Sequence, residues 1–153
     1  MVMKEALTII ISGMLGTVGF SILFKSDKNR IFCNAVGGGL TCLVYLISCH
    51  FVDHILVQYL IPALFVSAYA EIMARVVKAP ATPILACSII SLVPGGKLYY
   101  TTYYFVVGDM EKFDVTLTET LQIAAGLAVG IICISVIIHE INWSRFKHIL
   151  NVD

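Results

Sequence analysis

Apolar and polar residues are distributed along this chain in long blocks. Apolar runs at about 7–24, 31–51, 55–77 and 119–138 each approach the roughly 20 residues that carry a helix across a hydrocarbon core of about 30 Å. A further run, about 81–107, is equally apolar but is interrupted in its middle by Val93, Pro94, Gly95 and Gly96, with Lys97 directly after. In lipid a spanning segment satisfies its own backbone N–H and C=O groups, so runs of this kind form helices. The pattern predicts an all-α membrane protein with five transmembrane helices, the fourth broken at Pro94, Gly95 and Gly96.

Within the runs, small and polar residues mark candidate contacts. The first carries Ser12, Gly13, Gly16 and Gly19 at three- to four-residue spacing, which lets helix backbones approach closely. It is too long for the h-region of a cleavable signal and ends in Leu23-Phe24-Lys25, so it reads as a retained span. The second holds Asn34 and the triplet Gly37, Gly38, Gly39. The triplet suits either close packing or a partly unwound cavity wall. In the third, Pro62 lies near the start, where a proline is cheap or makes a modest kink. Pro80 and Pro83 fit the first turn of the broken run, whose first half extends to about Leu92 and whose second half starts near Lys97. A polar connection from Asp109 to about Thr118 follows, with Thr118 and Glu119 as a helix start. The last span carries a seam of Ala125, Gly126 and Gly130. The tail, 139–153, reads as a short interfacial helix with Trp143, Arg145, Phe146, Lys147 and His148.

Composition agrees with a single membrane domain over 1–153. Hydrophobic residues make up 59% and charged residues 13%, against about 25% charged in soluble domains. The formal net charge is zero, which gives nucleic-acid binding no support. The placement of the charges matters more. Lys25, Lys28 and Arg30, then Arg75 and Lys78, then Arg145 and Lys147 mark three cytoplasmic regions. The other connections hold Asp53, Asp109, Glu111 and Asp114, with Lys112 alone as a basic residue. This alternation requires the broken run to cross fully, with the N-terminus outside and the C-terminus inside. The five cysteines, Cys33, Cys42, Cys49, Cys87 and Cys133, lie in apolar spans without a C-x-x-C pair and read as reduced, buried thiols. Hydrolase, zinc-protease and P-loop motifs are missing from the sequence, so no enzyme activity and no cofactor or metal is expected.

Three places carry candidate chemistry. Where a helix breaks within a membrane, exposed N–H groups and helix ends bind ions and polar ligands. The half-helix starting after the break would turn its positive end toward the bilayer midplane, and Lys97 adds a full positive charge. That combination suits a carboxylate; the alternative is a plain proline kink with Lys97 paired to an acid on another helix. Pro94, Gly95, Gly96, Lys97, Tyr99 and Asn34 form the candidate substrate-binding set. Second, Glu71 and Arg75 are four residues apart, within pairing reach on one helical face. They form either a structural ion pair at the inner interface or a coupling or gating pair. Third, His50, Asp53 and His54 have a spacing that helical geometry could turn toward zinc, but they fall at an interface where polar residues are expected.

The segment Ile90-Ser91-Leu92-Val93-Pro94-Gly95-Gly96-Lys97-Leu98-Tyr99, with Pro80 upstream and Gly108-Asp109 downstream, resembles the C-terminal membrane domain of the threonine/serine exporter (ThrE-type) family. The likeness covers the chain in length and span order and is sharp over about thirty residues. Ser91 stands where the family usually has a proline, and Lys97 is outside the family pattern. The resemblance implies a small subunit paired with a second membrane subunit that carries the N-terminal half of the exporter. A homo-oligomer of that pair stays open. It further implies threonine and serine, or succinate-like dicarboxylates, as substrates. The leading reading is a multi-pass exporter subunit of the bacterial inner membrane, driven by the proton gradient. A non-transporting structural or assembly subunit is the alternative.

Overall fold

A computed structural model describes the backbone of residues 2–150 and, apart from Val2, Met3, Glu5 and Asn29, the side chains up to residue 140. It is all-helical over those residues: α1 (Val2–Leu23), α2 (Lys28–Phe51), α3 (Ile55–Val76), α4 (Ala81–Ile89) with a 3-10 turn (Ile90–Leu92), α5 (Gly95–Val107) and α6 (Met110–Leu150). Four of the helices are long and apolar enough to cross a membrane, and α4 with α5, bent by 56° at the break, makes a fifth candidate.

Small residues decide how the helices meet. α1 and α2 run antiparallel, with Gly13 against Cys42, Gly38 against Thr17, and Asn34 donating from Nδ2 to Ser21 Oγ at 2.9 Å. The seam on α1 is thus Gly13, Thr17 and Ser21, one turn apart. Gly16 and Gly19 face open space, so only Gly13 of the expected glycine row carries the close approach. The Gly37, Gly38, Gly39 triplet stays helical inside α2. A Cβ on Gly37 would lie 2.5 Å from the Tyr69 ring and 2.7 Å from Ser88 Oγ, so close packing accounts for it. Tyr69 donates its hydroxyl to the Cys33 carbonyl at 2.7 Å and ties α3 to α2. Ala70, Ala74 and Ile84 form a buried cluster between α3 and α4.

α6 runs parallel to α3. Gly126 abuts Leu56 and Leu60, and Gly130 abuts Ala63 and Leu64, so both chains advance in the same direction. The expected polar connection at 109–118 and the helix start at Thr118 and Glu119 are corrected here, because α6 begins at Met110. Neither glycine nor proline occurs between Met110 and Ala125 to stop a helix. Thr116, Thr118 and Thr120 each bond a carbonyl one turn back, which satisfies their hydroxyls within the helix. Gly108 ends α5 in the left-handed conformation (φ 82°), and the Asp109 carboxylate accepts from the Lys112 backbone N–H at 3.3 Å. A second hydrogen bond, from Lys112 Nζ at 2.8 Å, holds the exposed Asp109 carboxyl below its usual range. The helical backbone continues without interruption to Leu150, so the tail is an extension of α6 and not a separate helix. The side chains of Trp143, Arg145, Phe146, Lys147 and His148 lie outside the described residues.

Candidate functional site

The break in the fourth span follows from its residues. Proline disfavours helical backbone at the residue before it. Val93 is accordingly extended (φ −63°, ψ 126°), and the helix tightens into a 3-10 turn just ahead of it. Pro94 (φ −78°, ψ 56°) is the centre of an inverse γ-turn closed by Gly95 N–H donating to Val93 O at 2.8 Å. α5 then restarts, with Leu98 N–H bonding Pro94 O at 3.0 Å. A helix start leaves its first N–H groups, here Gly96 and Lys97, without intrahelical acceptors. A Cβ added at Gly95 or Gly96 would meet nothing within 4 Å. Packing does not demand glycine at these two positions, and the backbone there is open to a neighbour.

A cleft of about 530 Å³ opens at this point. Residues 93–97 form one wall, Tyr100 and Tyr104 of α5 another, and Tyr59 of α3 and Thr116 of α6 close it. Tyr59 is fixed by a 3.2 Å hydroxyl contact with Tyr45. The α5 wall is held on α6 by contacts at successive turns. Lys97 pairs with Glu119, Thr101 Oγ1 lies 3.3 Å from Thr120 Oγ1, and the Phe105 and Phe113 rings are 5.3 Å apart. Lys112 Nζ lies 5.5 Å from the centre of the Tyr104 ring.

Four of the six residues expected to bind substrate, Pro94, Gly95, Gly96 and Lys97, therefore line one cleft. Tyr99 is on α5 but outside that lining, stacked against Tyr103 with centroids 6.5 Å apart. Asn34 is buried in the α1–α2 seam, and its Oδ1 has no hydrogen-bond partner among the described residues. Glu71 and Arg75 lie 3.9 Å apart on α3, remote in sequence from the break and absent from the cleft lining. His50 lies in the last turn of α2, whereas Asp53 and His54 fall in the following connection, so the three do not share a helical face. No group of three metal-ligating side chains occurs among the described residues.

The cleft also contains residues that the linear pattern did not single out. Tyr59, Tyr100 and Tyr104 read as span residues, and Thr116 as part of the polar connection. Glu119, which lies just outside the cleft lining, read as part of a helix start, although a lysine in an apolar run calls for a counter-ion and Glu119 is the acid at the edge of the next span.

Two chemical features converge at the break: uncommitted N–H groups at a helix start and an ammonium already held by a carboxylate. The N–H groups suit a carboxylate, and the ion pair beside them adds one charge of each sign. Comparison with known proteins agrees with a transport role. No curated protein and no solved structure matches the chain. Residues 9–137 match the family model described as Threonine/Serine exporter, ThrE. That match takes in the broken run and all but the outermost residues of the four long ones, and the chain belongs to the threonine/serine exporter family.

Proposed function

We propose that this chain is a subunit of an exporter that moves a small carboxylate-bearing metabolite outward through the bacterial inner membrane. Family membership supports a transporter component that binds substrate without transforming it. The observation that carries the site is the cleft at the break, where Pro94, Gly95, Gly96 and Lys97 stand together. The substrate carboxylate approaches the open start of α5 and Lys97. Threonine and serine, or succinate-like dicarboxylates, are the candidate substrates. Export draws on the proton gradient, with Glu71 and Arg75 as a coupling or gating pair on α3.

The chain crosses the membrane five times in this reading, with the N-terminus outside and the C-terminus inside. The parallel course of α3 and α6 supports it, because α4 and α5 must then together carry the chain to the opposite face. The basic residues at 25–30 and at Arg75 and Lys78 support the orientation. The partner is a second membrane subunit carrying the other half of the exporter. A structural or assembly subunit is the second reading, favoured by the pairing of Lys97 with Glu119.

The test is to measure intracellular threonine, serine and succinate in cells expressing the chain with its partner, as wild type, Lys97→Ala and Gly95→Leu. Retention of one of these metabolites by both variants is the expected result. Export at the wild-type rate in both variants removes the site assignment.

A further inference from the structure

The candidate substrates differ in charge pattern more than in size. Threonine and serine are zwitterions, with a carboxylate and an ammonium on one carbon. A dicarboxylate carries two negative charges and no positive one. The cleft is large enough for either, so volume does not choose between them. Charge does, and the deciding group lies just outside the lining.

Lys97 Nζ is paired with Glu119 Oε2 across the α5–α6 contact. Lys97 lines the cleft, and Glu119 lies one turn beyond Thr116, which also lines it. Neither group is sealed in, with 48% of the lysine side chain and 27% of the glutamate side chain exposed. No other charged residue faces them from α5, whose sequence is otherwise neutral, or from the first turns of α3. On α6, Asp114 lines a neighbouring groove with Glu119 and adds negative charge there. The cation at the break is therefore already balanced by a carboxylate in contact with it.

We propose that Glu119 is the specificity-determining residue of this cleft, selecting a zwitterionic amino acid over a dicarboxylate. The inference rests on the reading of the cleft as a carboxylate site. A zwitterion inserts against the ion pair with its carboxylate toward Lys97 and the start of α5, and its ammonium toward Glu119. Every charge then faces an opposite one, and the complex stays neutral. A dicarboxylate meets a lysine whose charge is already matched. Its second carboxylate has only the helix start to face and is repelled by Glu119. Removing the Glu119 charge reverses the preference, because Lys97 becomes an uncompensated cation and the ammonium of an amino acid loses its partner.

The test uses the full chain with its partner subunit in lipid nanodiscs, with radiolabelled L-threonine and succinate as probes. Wild type binds threonine in preference to succinate. Glu119→Gln weakens threonine on the order of tenfold and strengthens succinate, so the ratio inverts. Glu119→Asp keeps the wild-type preference, which separates the charge from the fold of the α5–α6 contact. Lys97→Gln weakens both probes. An unchanged threonine-to-succinate ratio in Glu119→Gln overturns the role of Glu119 while leaving the exporter reading intact. So does a wild type that prefers succinate. A wild type that binds neither probe removes the carboxylate-site reading, and this inference with it.

Discussion

Gly126 of α6 lies so close to α3 that a Cβ on it would be 2.5 Å from the carbonyl oxygen of Leu56. The atom in the way is backbone, which cannot turn aside as a side-chain tip can. Gly126→Ala is therefore expected to lower stability by about 1–3 kcal/mol, the usual cost of overpacking. Gly16→Ala, placed in open space on α1, is expected to have almost no effect. Denaturant unfolding of both variants in detergent micelles checks this, and equal losses would refute the close α3–α6 approach.

Ser88 Oγ is buried against Gly37 and has no hydrogen-bond partner among the described residues. A buried hydroxyl left unpaired destabilises the fold, and removing it relieves that cost. Ser88→Ala is expected to leave stability unchanged or to raise it by up to about 1 kcal/mol. A loss of more than about 1 kcal/mol would show that this hydroxyl is satisfied, for instance by an internal water.

Thr101 and Thr120 meet across α5 and α6 at 3.3 Å, but each also donates to its own helix, Thr101 to Lys97 O and Thr120 to Thr116 O. The interhelical contact is thus a secondary one. Thr101→Val should cost about 0.6 kcal/mol, the mean for such pairs in membranes. Unfolding in mixed micelles measures it, and a loss of several kcal/mol would make this contact the main clamp on α5.

Gly95→Leu places a side chain in the cleft without meeting any atom within 4 Å at its Cβ. Transport and stability should separate in this variant. Export is expected to fall at least tenfold while the melting temperature stays within about 2 °C of wild type, a shift below that expected for 1 kcal/mol. If melting temperature and export fall together, the cleft is needed for the fold and not for passage.

The connections at Ser26 and at Asp109 lie on opposite sides of the membrane if α4 and α5 together cross it. Ser26→Cys and Asp109→Cys, each in a background without the native cysteines, should label with a membrane-impermeant thiol reagent from opposite faces. Labelling of both from the same face would make α4 and α5 a re-entrant pair.

Much of this protein follows from its sequence alone. Membrane character, the positions of the helical runs and the break at Pro94 rest on local physics: apolar length, the missing proline N–H and the small-residue seams. The course of α2 through its three glycines and the length of α6 were not legible in that way. Glycine weakens a helix intrinsically, yet Gly37 is held by Tyr69 and Ser88 from two other helices. The polar stretch after Asp109 resembled a connection because its charges were read without the helix, α5, against which it packs. The same reason explains Glu119. Lys97 announced the need for a counter-ion, but 22 residues separate the pair, and only the antiparallel docking of α5 on α6 brings the two charges together. Which small residues carry close approach, which direction α6 takes, and which acid faces the break depend on contacts distant in sequence, and the tertiary structure decided them.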